Sequence, residues 1–157
     1  MDRVEFSNNL MDLRYTEMWV PVELAEKTVN LMQRFYEQGG YAATGFYTVE
    51  LLGSPASLFW LSPGYQRASI RFNFMWFARG AADPTAYFQK FWDLFRQNDL
   101  GFRPHWGKYL PAGDGGEGAA YLRGQYPKWD AFMALRKQMD PDNIFLSTYW
   151  KKQLDIQ

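Results

Sequence analysis

The residues best suited to chemistry in this chain are concentrated in the six-residue segment 103–108, Arg-Pro-His-Trp-Gly-Lys. It contains the only histidine of the sequence, beside a tryptophan, a glycine and two cations. Charged and aromatic groups this close to a glycine are typical of a segment in which backbone and side chains approach a ligand. The alternative is an ordinary strand, in which Trp106 fills the core while Arg103 and Lys108 are solvated.

Two predicted strands bring further polar side chains. Alternation in residues 41–52 places Glu50 on one face of a strand, where a solvent-facing surface is the competing interpretation. Residues 68–77 predict a second strand, with Arg71 and Asn73 on the face opposite its aromatic residues. The candidate set for a ligand is therefore Glu50, Arg71, Asn73, His105 and Lys108. Such groups could recognise a polyhydroxylated small molecule through charge-assisted hydrogen bonds, but they do not by themselves define a reaction.

Composition excludes several classes of function. The absence of cysteine removes thiol catalysis, disulfides and cysteine metal sites, and a single histidine argues against a histidine-based metal cluster. Sequence patterns for a nucleophile elbow, a dinucleotide fingerprint and a phosphate-binding loop are also missing. Seventeen basic and seventeen acidic residues cancel, which makes nucleic acid an unexpected partner.

The chain of 157 residues is long enough for one domain with a substantial core. No apolar run approaches the roughly 20 residues that span a bilayer, and the first residues do not resemble a signal peptide, so a cytoplasmic protein without a membrane span is expected. Aromatic residues make up 19% of the sequence. They either fill the core or cover a face that another domain, a flat cofactor or a second copy in a homodimer would occupy.

Periodicity and turn signals predict an α+β fold, an antiparallel sheet with helices packed mainly on one face. Phe88, Phe91, Trp92 and Phe95 recur at helical spacing and are interpreted as core. In the first half of the chain the predicted elements are a strand at 13–20, a helix from Pro21 to Gly39-Gly40, a strand at 41–52, a short strand at 57–61, a turn at 62–64 and a strand at 68–77. They are followed by a helix with Asp83 as N-cap and Pro84 as first residue, the segment 103–108, a glycine-rich loop at 111–118, a helix from Tyr126-Pro127 to Asp140-Pro141, and an apolar tail at 143–150.

Several motifs, in order along the chain, resemble one family. GFRPHWGK at 101–108 resembles the RPHW[GA]K signature of sugar-lactone and alditol oxidases, and LSPGYQR at 61–67 resembles their LSP-x-x-QR segment. The span 126–145 resembles their closing YP…LR…DP…F run, and Trp19-Val20-Pro21 before a helix also fits. The family includes D-arabinono-1,4-lactone oxidase and L-gulonolactone oxidase, within the vanillyl-alcohol-oxidase type of flavoprotein.

The resemblance implies a divided enzyme. In that family an N-terminal domain binds FAD, and a C-terminal cap, an antiparallel sheet with helices, closes over the flavin and holds the substrate. Residues 1–157 are similar to the cap and the terminal segment only, so the FAD-binding domain is expected in cis or in trans. The implied function is oxidation of a sugar-derived lactone or polyol by hydride transfer to the flavin, which O₂ or another acceptor reoxidises; the isolated chain should be inactive.

The resemblance also implies roles for single residues. Glu50 matches the substrate-side glutamate of a Glu-x-Arg pattern, but Leu52 stands at the arginine position and has no guanidinium donors. We hypothesise that Arg71, on the same face as the substrate-side Asn73, partly replaces that arginine. Lys108 matches a lysine close to flavin and substrate, where a fixed cation would stabilise negative charge on the flavin as hydride leaves the substrate carbon.

Two further residues of the same segment are assigned by resemblance. His105 and Trp106 are expected to shape the pocket and its contact with the flavin. The alternative function, from a different class, is a stand-alone binding module for a small polyol or sugar, without redox activity.

Overall fold

The computed structural model describes residues 13–45, 47–77, 83–110 and 117–156, so the predicted lead-in at 1–12, Phe46 and most of the predicted glycine-rich loop lie outside the described residues. The elements are β1 (Leu13–Pro21), a 3-10 turn (Val22–Leu24), α1 (Ala25–Thr44), β2 (Tyr47–Ser54), β3 (Ser69–Phe77), α2 (Thr85–Gln97), β4 (Arg103–Pro104), α3 (Glu117–Gln125), α4 (Trp129–Met139) and α5 (Thr148–Leu154). Among these helices, none is both long and apolar enough to cross a membrane.

The strands form one antiparallel sheet in the order β2-β3-β1-β4. β1 and β3 pair along their whole length, from Leu13 opposite Phe77 to Pro21 opposite Ser69. Because side chains alternate along a strand, this register gives the sheet one aromatic face and one polar face. The predicted α+β class, with an antiparallel sheet and helices, is confirmed.

The aromatic face packs against α1 and α2. Phe72 and Phe74 of β3 are fully buried, and the ring of Phe74 lies 4.6 Å from that of Phe91 in α2. Trp92 points its indole Nε1–H at Thr16 Oγ1, 2.9 Å away, so even this buried ring has its polar atom satisfied. The predicted stripe on α2 is therefore core, because all four of its aromatic residues are buried.

Two predictions from the first half of the chain were wrong. The strand predicted at 41–52 begins only at Tyr47, because α1 continues to Thr44. Gly40 takes a φ of 52°, which kinks the helix without ending it. The short strand predicted at 57–61 is a loop, since the Ser57 hydroxyl accepts the Phe59 N–H and bends the chain.

The second half of the chain contains two helices that the pattern did not predict. α3 begins at Glu117, where a glycine-rich loop was expected to run to residue 118. α5 lies in the predicted tail and is capped by Ser147, whose side chain accepts from the Trp150 N–H. The predicted start of α2 differs by one residue, because Pro84 is the N-cap while Asp83 accepts the Thr85 N–H.

A second, smaller core holds these helices together. Leu122 of α3, Tyr126, Trp129 of α4 and Leu154 of α5 are buried in it. Trp106 packs against the same cluster, with its ring stacked 5.3 Å from that of Tyr126. The segment 103–108 therefore joins the sheet to the C-terminal helices.

The turn after α4 supplies a first testable prediction. Asp140 is buried, and its carboxylate accepts the N–H groups of Ile144 and Phe145 at 2.7 and 3.1 Å. Asp140→Ala should therefore lower the free energy of unfolding by about 1–2 kcal/mol, because both amides lose a charged acceptor. Urea unfolding of this variant beside Asp142→Ala, which removes an exposed carboxylate from the same turn, checks the prediction. Equal stabilities would contradict it.

Candidate functional site

The polar face of the sheet, on the side away from α1 and α2, presents three residues in one row across three strands. Glu17 of β1 is the register partner of Asn73 in β3, and Asn73 is the partner of Glu50 in β2. The neighbouring row places Arg71 between Trp19 and Leu52. Register alone thus assembles two carboxylates, an amide and a guanidinium at neighbouring positions of the sheet.

Glu17 is the centre of the site. Its side chain is fully buried, yet it carries a charge because three donors reach its carboxylate. Trp19 Nε1 lies 2.6 Å and Arg71 Nε 2.9 Å from Oε1, and Lys108 Nζ lies 2.5 Å from Oε2. A buried carboxylate with two cationic partners is a stable anchor for those cations.

The electrostatics of Glu17 follow from this geometry. Burial raises the pKa of the carboxyl, but the hydrogen bonds and positive charges of Arg71 and Lys108 outweigh burial and hold that pKa below its ordinary value of 4.5. The Glu17 carboxyl is therefore an anion at neutral pH.

Lys108 connects Glu17 to the rest of the row. Its Nζ also donates to Asn73 Oδ1 at 2.8 Å, and Asn73 Nδ2 in turn donates to Glu50 Oε2 at 2.9 Å. An ammonium has three donors, and within the described part of the chain these two bonds leave one of them for a ligand oxygen. The side chain of Lys108 is 20% exposed and Glu50 is exposed, which leaves this end of the row open to solvent.

The backbone of the segment 103–108 is fixed by hydrogen bonds on both sides. The His105 N–H donates to the Glu17 carbonyl at 3.0 Å, and the Lys108 N–H closes a turn on the His105 carbonyl at 3.1 Å. Arg103 is buried and donates to the carbonyls of Gln125 and Tyr65, both at 2.8 Å. The interpretation that places Arg103 and Lys108 in water is therefore wrong, because each cation has buried acceptors.

Arg67, the last residue of the segment that resembles LSP-x-x-QR, also has backbone acceptors. Arg67 donates to the carbonyls of Gly101 and Trp19, at 2.7 and 3.1 Å, so it ties the turn at 62–64 to β1 and to the start of the segment 103–108. Burial, aided by the charge of Arg103, lowers the pKa of this guanidinium to about 10. Arg67 and Arg103 therefore fix the backbone on which Lys108 lies, because both donate to main-chain carbonyls of neighbouring segments.

Within the segment 103–108, His105 and Trp106 make different contacts. The Gly107 N–H donates to His105 Nδ1 at 3.1 Å, which requires that nitrogen to be unprotonated. Burial, with the charges of Lys108 and Arg71 against that of Glu17, lowers the His105 pKa and keeps the ring neutral at pH 7. Trp106 donates to the Leu61 carbonyl at 2.7 Å and packs in the second core, so its contact with a flavin stays a prediction.

The structure brings together most of the residues that the sequence singled out. Glu50, Arg71, Asn73 and Lys108 form one hydrogen-bonded network with Glu17. Sequence reasoning missed Glu17, although a carboxylate amid aromatic and β-branched residues of a predicted strand could have marked it. Such a residue is expensive to bury unless cations meet it.

The structure is thus an α+β domain whose sheet has one helix-covered face and one face with a partly exposed row of charged and polar side chains. The chain belongs to the D-arabinono-1,4-lactone oxidase family, whose sequence profile matches residues 6–153. It is 44% identical over 57 residues to an L-gulono-1,4-lactone dehydrogenase of Mycobacterium tuberculosis, a match that covers 36% of this chain and 12% of that protein. It is 30% identical over 98 residues to an alditol oxidase of a Streptomyces species, which covers 61% of this chain and 21% of that protein.

The matched segments are thus a minor part of both relatives. At 12% and 21% of their lengths, they leave most of each relative's polypeptide without a counterpart in the matched part of this chain.

Proposed function

We propose that this chain is the substrate-binding cap of an FAD-dependent oxidoreductase that oxidises a sugar-derived lactone or a polyol. One observation carries the proposal, the hydrogen-bonded row Lys108–Asn73–Glu50 anchored on buried Glu17. Its fixed donors and exposed carboxylate suit a ligand with several hydroxyl groups. Family membership and the names of the two relatives support the same class of substrate.

The donor set also suits the vicinity of a flavin ring. Lys108 and Arg71 place two cations on an open sheet face, and a fixed positive charge favours groups that gain electron density. The adenosine and diphosphate parts of FAD would be bound by the flavin-binding domain that the proposal requires, and not by residues of this sheet. Lys108 is therefore the residue of this chain that would lie nearest the ring, with His105 beside it.

The residues divide the work at the substrate. A bound flavin would supply the acceptor for the hydride that leaves the substrate carbon. Lys108 donates its remaining N–H to the oxygen on that carbon, and Glu50 is positioned to accept the hydroxyl proton. Asn73, bonded to both, keeps their separation constant, so the substrate is oriented before reaction.

Arg71 supplies a second testable prediction. Among the described residues its hydrogen bond to Glu17 uses only Nε, which leaves both terminal amino groups for a ligand beside the aliphatic Leu52. Arg71→Ala should raise the KM of the assembled oxidase by about tenfold with a smaller change in kcat, because a ground-state contact is lost. Arg71→Lys keeps a positive charge but loses the paired N–H donors of the guanidinium, so its KM should lie between those of wild type and Arg71→Ala. An unchanged KM would remove Arg71 from the substrate site.

Reconstitution with a flavin-binding partner tests the function itself. The chain is co-expressed with the polypeptide encoded immediately upstream, or fused in place of the matched segment of the Streptomyces alditol oxidase. A yellow protein that absorbs at about 450 nm and is bleached anaerobically by a sugar lactone or polyol supports the oxidase. A colourless monomer that binds polyols supports the stand-alone binding module instead.

A further inference from the structure

Two parts of the molecule expose large apolar side chains to solvent: the groove between the loop 58–62 and α4, and the turn that follows α4. We define their exposed residues together as the apolar surface: Leu58, Phe59, Trp60, Leu135, Ile144 and Phe145. Phe59 and Phe145 are 81% and 86% exposed, and each has a second exposed apolar residue next to it in the sequence. Grouped apolar residues at a surface commonly mark an interaction site. Between the loop 58–62 and α4 lies a shallow groove of about 470 Å³, lined by Leu58, Phe59, Trp60, Leu61, Ser62, Phe132 and Leu135.

The loop that carries Phe59 is rigidly built. The Ser57 N–H donates to the Gly64 carbonyl at 2.8 Å, and the Gln66 N–H returns to the Ser57 carbonyl at 2.9 Å. The loop is also tied to the segment 103–108, because Trp106 donates to the Leu61 carbonyl. A loop held from both sides presents Phe59 to solvent in a defined position, which a partner can match without an ordering cost.

The turn that carries Phe145 is built in the same manner. Buried Asp140 accepts two backbone N–H groups of this turn, and Arg136 donates to Asn143 Oδ1 at 2.8 Å. Asn143 itself has a φ of 57°, a left-handed conformation that asparagine adopts more readily than most residues other than glycine. The turn is thus fixed by hydrogen bonds while the side chain of Phe145 is exposed to solvent.

Charge separates the possible occupants of this surface. Residues 128–142 along α4 contain three basic and three acidic residues, so the surroundings carry no net positive charge. A membrane surface would select an excess of lysine and arginine. A protein surface with mixed charge around an apolar centre fits the pattern better.

The small share of each relative that the matched segments cover indicates which protein surface would occupy the apolar surface. Because the matched segments are 12% and 21% of the two relatives, most of a family member lies beyond the similar part, and an interior contact of the full-length enzyme would be exposed in this chain alone. We propose that the apolar surface is where the flavin-binding part of the oxidase docks, whether it is joined to this chain or separate. The inference rests on the proposed function and adds to it the surface that makes the assembly.

Docking there would also support the polar face. Trp106 bonds to the loop 58–62 through Leu61 and lies two residues before Lys108. A partner seated on the loop therefore immobilises the segment whose lysine contacts substrate.

The test compares one double variant in two contexts. Phe59→Asp with Phe145→Asp is made in the free 157-residue chain and in the fusion with the flavin-binding part of the Streptomyces alditol oxidase. Because both rings face solvent in the free chain, its Tm should not change, whereas the Tm of the fusion should fall by about 5 °C or more. Val29→Asp, which charges an exposed apolar site on α1, should leave both unchanged.

Several outcomes would overturn the proposal. Unchanged melting in both contexts shows that nothing docks, and equal losses show that the rings stabilise this domain itself. A concentration-dependent dimer of the free chain, or its binding to vesicles of phosphatidylcholine and phosphatidylserine, abolished by the variant while the fusion is unaffected, assigns the surface to a second copy or to lipid.

A fusion that fails to fold is replaced by co-expression of the two parts as separate chains. Co-purification that the double variant abolishes and Val29→Asp preserves supports docking, and absence of any complex overturns it. A fusion that the double variant destabilises but that oxidises no lactone or polyol would remove the proposed function and leave the docking surface.

Discussion

Lys108→Met should lower kcat/KM of the assembled oxidase by about 10²–10³-fold, the usual loss when one preorganised donor to the reacting oxygen is removed. Methionine keeps most of the side-chain volume but deletes the ammonium that reaches Glu17 and Asn73. Because the missing contact is strongest when charge develops on the substrate, the loss should appear mainly in kcat. Steady-state kinetics with a sugar lactone and a polyol measure it.

The control for this experiment is Lys137→Met, which removes an exposed lysine from α4. It should retain full activity, so that a general effect of charge or of methionine is recognised. Lys108→Met protein with normal kcat and bound flavin would exclude Lys108 from the reaction and leave it only a structural role.

Glu17→Gln should lower the free energy of unfolding by about 2–3 kcal/mol at neutral pH. The glutamine amide cannot accept from three donors, and its NH₂ group must face a cation. The cost is held below that of a fully buried ion pair because Arg71 and Lys108 are 29% and 20% exposed and regain some hydration. Chemical unfolding of both proteins, with Glu26→Gln as an exposed carboxylate control, measures the difference.

The same comparison has a defined pH dependence. Since the pKa of Glu17 is lowered in the folded protein, its stabilisation is fully present above the ordinary value of 4.5 and is lost as the pH falls through the lower folded-state pKa. The gap between wild type and Glu17→Gln should therefore stay constant near neutral pH and narrow as the pH falls below 4.5. A gap that widens toward acid would show that Glu17 is not held as an anion.

Local patterns predicted the parts of the fold that alternate clearly. Phe72 and Phe74 point to the core and Arg71 and Asn73 away from it, as the period of β3 required. The predicted helix that became α1 was placed correctly but ended too early, since Gly40 kinks it and Gly45 ends it. Glycine marks both outcomes equally in a sequence, and only packing distinguishes them.

The site was predictable only in part, because its centre is a tertiary feature. Glu17 meets Asn73 and Arg71 only because β1 pairs with β3, and Glu17 and Arg71 are 54 residues apart in the sequence. No local pattern encodes that register. For Trp106 the sequence context was misleading in the other direction. Its neighbours in the sequence indicate a ligand site, whereas its ring joins the second core through contacts with α3, α4 and α5 that were not predicted as a group.

The bond between Lys108 and Glu17 has a consequence for the order in which the molecule folds. It closes a span of 91 residues, whereas Asn73 and Glu50 are separated by 23. Longer closures cost more chain entropy and form later, so β2 and β3 should pair before Lys108 arrives. The row Lys108–Asn73–Glu50 should then be completed only after the sheet that carries Asn73 and Glu50 has formed.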